Sequence, residues 1–285
     1  MADPANAAKS FAQLRAIAEQ VGQPRMRWLV GISETFEATM GARLGDAERI
    51  ASAMLELGSQ IGEADAFSVF AGQFFIIGTF AGRHGELFPL VEQAAKDNPD
   101  LLPFRLAYGI ICSAVDRSET ARAILAEGMA HGFENLAPDM WWITSVIGYS
   151  VLAIELEDRD AAALLLPIIE PLAGEIAFNG ATSQGPVCAY VGKLASLLGR
   201  YECGEAHPRS ALEIATSFGW EYHRATTLFD LARTRFRRDG ELDAESCSWL
   251  DEAAAICNDR GIRNWAARID DLRRHAGAPG KGGVR

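Results

Sequence analysis

The strongest restriction on this chain is a junction that keeps returning. An apolar run ends on glycine or an acid, and a new Ala/Glu-rich segment follows. It occurs at Leu44-Gly45-Asp46, Ala81-Gly82-Arg83, Val115-Asp116-Arg117, Glu157-Asp158-Arg159, Leu198-Gly199-Arg200 and Asp239-Gly240-Glu241. The punctuating residues Gly45, Gly82, Asp116, Asp158, Gly199 and Gly240 lie 37, 34, 42, 41 and 41 residues apart. Two helices of about four turns each, with their connections, fill that length, so the recurrence predicts stacked helix-turn-helix units. Glycine suits the left-handed residue that ends one helix, and Asp or Ser at the next start accepts orphan amide hydrogens. Asp116 and Glu119 have the spacing of a capping box, with Ser118 competing for the cap position.

Between junctions the apolar residues keep helical spacing. Ile50, Met54, Leu57 and Ile61 fall on one face of a helix, as do Ala211, Ile214, Ala215 and Phe218, and Leu250, Ala253, Ala254 and Cys257. Alternating strands bounded by Asn-Gly or Asp-Gly turns are not evident, and the stretch from Asn179 to Pro186 reads as a connection. The expected fold is all-α, a tetratricopeptide-like helical-repeat solenoid of about seven antiparallel helix pairs over residues 1–275, with a flexible Gly-rich tail over 276–285. The first helices are expected near 5–21, 46–61, 85–96, 118–131, 159–172, 204–218 and 243–259. The second are expected near 25–40, 65–81, 101–114, 139–155, 185–198, 221–237 and 262–274.

Composition narrows the function classes. With 49% apolar residues in 285, the chain has the means to bury a large core. The net charge of −11 sits in the front, where residues 1–199 carry 13 Lys/Arg against 24 Asp/Glu and the remainder 14 of each. That sign disfavours direct nucleic-acid binding. Residues 66–81 carry no charge but are too short for a membrane span, which predicts a central packed helix. The opening MADPANAAKSF lacks the basic and apolar regions of an export signal. Five cysteines without a C-x-x-C pair suit a reducing cytoplasm.

Sites of chemistry are sparse. His84, His131, His207, His223 and His275 lack metal-ligand spacing, and no G-x-S-x-G elbow occurs, so neither a metal nor a catalytic residue is expected. Glu157, Asp158 and Asp160 cluster where acids stabilise a helix start. Arg233, Arg235, Arg237 and Arg238 form the dense basic cluster, in which Arg233 and Arg237 share a helical face able to contact an acidic peptide or a phosphate. Trp220, Tyr222, His223 and Arg224 gather at a turn with the composition of a recognition patch. Of the neighbours Trp141 and Trp142, which point about 100° apart on a helix, Trp142 is taken as the one lining a groove or ligand pocket.

The run Leu198-Gly199-Arg200-Tyr201 with Ala211-Leu212, Trp220, Arg224-Ala225-Thr226, Asp230-Leu231-Ala232, Leu250, Ala253 and Gly261-Ile262 resembles a particular region. This is the tetratricopeptide-like C-terminal region of large bacterial LuxR-type and adenylate-cyclase-associated regulatory ATPases. Pro24-Arg25 with Arg27-Trp28, and Gly45-Asp46 with Glu48, extend the likeness across roughly residues 10–272. Stacked helix pairs leave a long inner surface exposed, which predicts a protein or peptide partner on a concave face, and the resemblance implies signal transduction or transcriptional control as its setting. That partner would be a separately encoded regulatory ATPase or transcription factor. A small-molecule effector between helices is the alternative. It does not imply ATPase activity, because G-x-x-x-x-G-K-[ST] is missing, and neither a cofactor, a cyclase domain nor a DNA-binding helix-turn-helix is expected. Gly204 and Pro208 depart from the repeat pattern and predict an irregular start to their helix.

Overall fold

The computed structural model describes residues 3–133, 136 and 139–277. It is all-α apart from one small ribbon. Pro4–Val21 (α1) pairs with Pro24–Met40 (α2), Leu44–Gln60 (α3) with Ala66–Phe80 (α4), and His84–Asp97 (α5) with Leu102–Ala114 (α6). Ser118–Ala130 (α7) precedes Trp142–Glu155 (α8), and Arg159–Ile169 (α9) precedes Val187–Leu197 (α10). Tyr201–Phe218 (α11) with Glu221–Asp239 (α12), and Ala244–Arg260 (α13) with Arg263–Gly277 (α14), complete the fourteen helices of the described residues. Every expected helix is present within a few residues. The expected tail, beyond residue 277, lies outside the described residues.

The junctions work as local chemistry requires, with two differences. Gly82, Gly199 and Gly240 take the left-handed conformation, with φ of 72°, 79° and 77°. At the other three junctions Ala42, Asp116 and Glu157 adopt it, with φ of 54°, 60° and 50°, each at a cost on the order of 1 kcal/mol. Gly45 is therefore inside α3 and does not terminate a helix. Asp116 makes no capping box, because its left-handed backbone places Arg117 at the cap of α7, where no side chain accepts an amide hydrogen bond. The expected side-chain caps form at two junctions, where Asp158 accepts from Ala161 N at 2.9 Å and Asp243 from Ser246 N at 2.8 Å, whereas Arg43, Arg83 and Arg200 start their helices without one.

Two further expectations are overturned. Residues 179–186 are not a plain connection, since Ile176–Phe178 (β1) and Ser183–Pro186 (β2) form an antiparallel ribbon pairing Ala177 with Gly185. Its turn is organised by Asn179, whose Oδ1 accepts from Ala181 N at 3.2 Å and Thr182 N at 2.9 Å. The helix holding Gly204 and Pro208 is continuous from Tyr201. Pro208 lies in its interior, and its ring seats on the bare backbone of Gly192 in α10, where an added Cβ would fall 2.3 Å from Pro208 Cδ.

The second helices form the inner layer. α8 buries Val146, Ile147, Leu152 and Ala153, α10 buries Val191 and Leu194, and α12 buries Leu228 and Leu231. Adjacent pairs pack in chain order, but the stack does not remain an open arch, because α2 returns to pack on α12. One core cluster gathers around α6 to α10, and a second joins Met40, Ile76 and Phe80 of the N-terminal pairs to Trp220, Leu231 and Trp265. The long inner surface expected to be open is therefore covered where the two ends meet. The uncharged α4 is a packed helix with Ile77 and Phe80 buried, and no described helix is long and apolar enough to cross a membrane.

The Gly192–Pro208 contact has a direct test. Gly192→Ala should lower stability by about 1–3 kcal/mol in urea unfolding, because neither the Pro208 ring nor the helix can move aside easily. Gly45→Ala meets nothing within 4 Å and should leave stability unchanged or slightly raised.

Candidate functional site

The aromatic residues expected to form a surface patch instead plug the seam between the ends of the fold. Trp220 is buried between Phe36 and Phe218, with ring centroids 6.2 and 4.7 Å away. Tyr222 stacks on Phe80 of α4, and its hydroxyl accepts from Trp265 Nε1 at 3.0 Å. Burial pushes the Tyr222 phenol well above its ordinary range. His223 is also buried and presses on Gly185 of the ribbon, where an added Cβ would stand 2.3 Å from its ring. Arg224 is spent on Glu252 and Glu221. As a recognition surface this group is corrected: apolar area outweighed polar tips, and the seam took the rings.

Trp142 is half-buried against the α6–α10 core, and the exposed neighbour is Trp141. A cavity of about 380 Å³ opens between α6, α7 and α8, lined by Leu102, Arg105, Gly128, His131, Phe133 and Tyr149. Trp142 is not in its wall.

The ribbon acts as a clasp across the seam. Gln73 of α4, only 3% exposed, donates through Nε2 to Ile32 O at 3.0 Å and to Ala181 O in the ribbon turn at 3.2 Å. Phe178 of β1 meets Phe36 of α2 edge-on, 5.4 Å between centroids.

Arg233 and Arg237 lie elsewhere, in a lattice of charges on the inner layer. Asp230 of α12, its side chain 4% exposed, meets Lys193 of α10 through Oδ2 at 3.1 Å and Arg233 through Oδ1 at 3.0 Å. Arg237 reaches the turn after α8, where it pairs with Glu157. Arg268 of α14 grips Glu155 at the end of α8 through two nitrogens, one at 2.9 Å. Lys193 lies 5.3 Å from the Tyr190 ring and 5.8 Å from the Trp265 ring, and Arg268 stands 4.8 Å over the same indole. Burial disfavours the Glu155 charge, yet the Arg268 hydrogen bond and the charges of Arg268, Arg233 and Lys193 together outweigh it and hold the carboxyl below its usual range. Four cations and three carboxylates thus join α8, α10, α12 and α14.

Arg233 and Arg237 were legible as a shared helical face. Glu157 was legible only as part of an acid cluster at a helix start, and the grouping with Lys193, Asp230, Glu155 and Arg268 carried no local signal, because the members lie up to 113 residues apart. Cys112, Cys188 and Cys257 are buried, and burial raises their thiol pKa values, while Cys203 and Cys247 are exposed. Among the described residues no three His, Cys, Asp or Glu side chains are grouped to hold a metal ion. No family model, curated protein or solved structure matches this chain, so the chemistry of the lattice is read from its own residues.

Asp230→Asn should cost about 3–5 kcal/mol in denaturant unfolding, because it leaves Lys193 and Arg233 without their shared counter-charge. Burial, with a smaller push from Lys193, holds His223 neutral down to about 3, whereas an unfolded histidine titrates near 6.5. Below that value the unfolded chain takes the proton first, so stability should fall by up to about 1.4 kcal/mol per pH unit between 6.5 and 3. His223→Gln should flatten that slope in urea titrations run at successive pH values.

Proposed function

We propose that this chain is a non-enzymatic regulatory interaction module, a sensing arm whose inner layer binds a protein or peptide partner. The supporting observation is the charge lattice across α8, α10, α12 and α14. Buried ion pairs contribute little net stability compared with apolar packing of the same volume. Retaining six charged side chains on inner helix faces, with Glu157 in the exposed turn beside them, is therefore better accounted for by recognition than by folding alone. Closure of α2 onto α12 narrows the inner surface and favours an extended acidic segment over a folded domain as the partner.

The resemblance to LuxR-type and cyclase-associated regulators supplies the setting. On that reading the module works in signal transduction or transcriptional control in a bacterial cytoplasm, and a separately encoded ATPase or transcription factor produces the output. The reading as non-enzymatic rests on the sequence, which offers neither a phosphate-binding loop nor a nucleophile elbow.

A small-molecule effector is the second reading, favoured by the cavity of about 380 Å³ between α6 and α8. Light scattering after gel filtration, with the products of neighbouring reading frames added one at a time, separates the two. The partner reading predicts a stable complex that weakens as salt rises. Saturable quenching of tryptophan fluorescence by a metabolite, with no protein complex, would replace it with the sensor. Nucleotide hydrolysis by the pure chain, lost on a point substitution, would overturn both.

A further inference from the structure

The arginines of α12 divide sharply by what they meet. On the outer side, Arg235 contacts Glu205, Asp243 and Glu245 and lies 4.5 Å over the Trp249 ring. Arg238 contacts Glu205 and Asp239. These side chains are saturated with carboxylates. Arg233 and Arg237 face the inner layer and are not. Among the described residues Arg233 donates only through its NH2 to one oxygen of Asp230, whose other oxygen serves Lys193. Arg237 likewise donates through one nitrogen, to Glu157. Each keeps the rest of its guanidinium fork unspent.

The two forks stand one helical turn apart on one face, where like charges repel. Burial and the Arg233 charge together weaken the hold of Arg237 on its proton. The surrounding charges do not correct this. Lys193, Arg233, Arg237 and Arg268 supply four positive charges against three negative from Asp230, Glu155 and Glu157, a surplus of one in a chain of net charge −11. Exposed surplus cations would be ordinary. Here the Arg233 and Arg237 side chains are only 19% and 22% exposed, so both are largely desolvated yet remain within reach of an entering group.

We propose that Arg233 and Arg237 form an oxyanion subsite, taking a carboxylate or phosphate group of the module's ligand between their unspent fork nitrogens. This rests on the reading of the inner layer as a binding surface and names the chemistry that surface selects. An oxyanion there cancels the surplus charge, accepts in the planar geometry a guanidinium offers, and relieves the repulsion along α12. Lys193 and Arg268, already engaged with Asp230, Glu155 and the Trp265 ring, shape the neighbouring wall.

The subsite is tested on the full chain by following thermal unfolding with sodium phosphate, sodium succinate or an Asp/Glu hexapeptide, each against sodium chloride at matched ionic strength. At least one of the three should give a saturable rise in midpoint that chloride does not. Phosphate alone points to a phosphorylated ligand, succinate alone to a free acid, and the hexapeptide to a protein segment. Arg237→Gln should weaken that response about tenfold, the equivalent of one charge-assisted hydrogen bond, while Arg238→Gln should leave it unchanged. If Arg237→Gln does not fold, Arg237→Lys, which keeps the charge without the fork, should still weaken binding. The subsite is overturned if none of the three exceeds chloride, or if Arg238→Gln matches the loss in the Arg237 variants. It is equally overturned if the Arg237 variants bind as the parent does. A partner that co-elutes with the parent chain while all three probes fail would remove the subsite and leave the interaction module standing.

Discussion

The architecture depends on the seam where the two ends of the helix stack meet. Phe80 of α4 lies flat on Tyr222 of α12, Phe36 of α2 meets Trp220 edge-on, and Trp265 of α14 donates to the Tyr222 hydroxyl. Each helix pair touches chiefly its neighbours and, left to that, would build an arch with two exposed apolar ends. Bringing α2 and α4 against α12 buries both ends in one cluster. The large aromatic rings are suited to this, because a buried Phe, Tyr or Trp typically removes roughly 150–250 Å² from water. The same contacts consume the residues that otherwise look made for a partner.

The ribbon follows from that seam. Buried Gln73 of α4 ties the ribbon to α2, supplying hydrogen bonds from one amide to Ile32 O and to Ala181 O. The ribbon brings Ala181 O into reach and sets the bare backbone of Gly185 against His223. A side chain larger than hydrogen at Gly185 would force the imidazole away. The clasp and the buried histidine are therefore one packing solution, and the neutral state of His223 is its electrostatic consequence.

Away from the seam the inner layer keeps its polarity. Asp230 carries two cations at once, and Glu155 is matched to Arg268, 113 residues away. Ion pairs of this kind cross-link α8, α10, α12 and α14 alongside their apolar contacts, which sets their relative positions while leaving charge available. Outer arginines such as Arg235 and Arg224 are closed off by acids on α11 and α13. The difference between the two faces of α12 gives the inner one its chemical identity.

The sequence alone determined the elements. Helical spacing of apolar residues and the chemistry of junctions act over a single turn, so helix number and limits were legible from Ala, Leu, Asp and Gly placement. The shared face of Arg233 and Arg237 was legible for the same reason. Short features of mixed signal were missed: the strands of three and four residues around Asn179-Gly180 are too brief to show alternation. What only the tertiary structure decided was the closure of the stack, the burial of Trp220, Tyr222 and His223, and the assembly of the charge lattice. Closure is the sum of small rotations between successive pairs, each set by side-chain fit across an interface. No local pattern encodes that sum, so whether an aromatic or charged residue faces solvent or a distant helix is settled only when the chain has curled on itself.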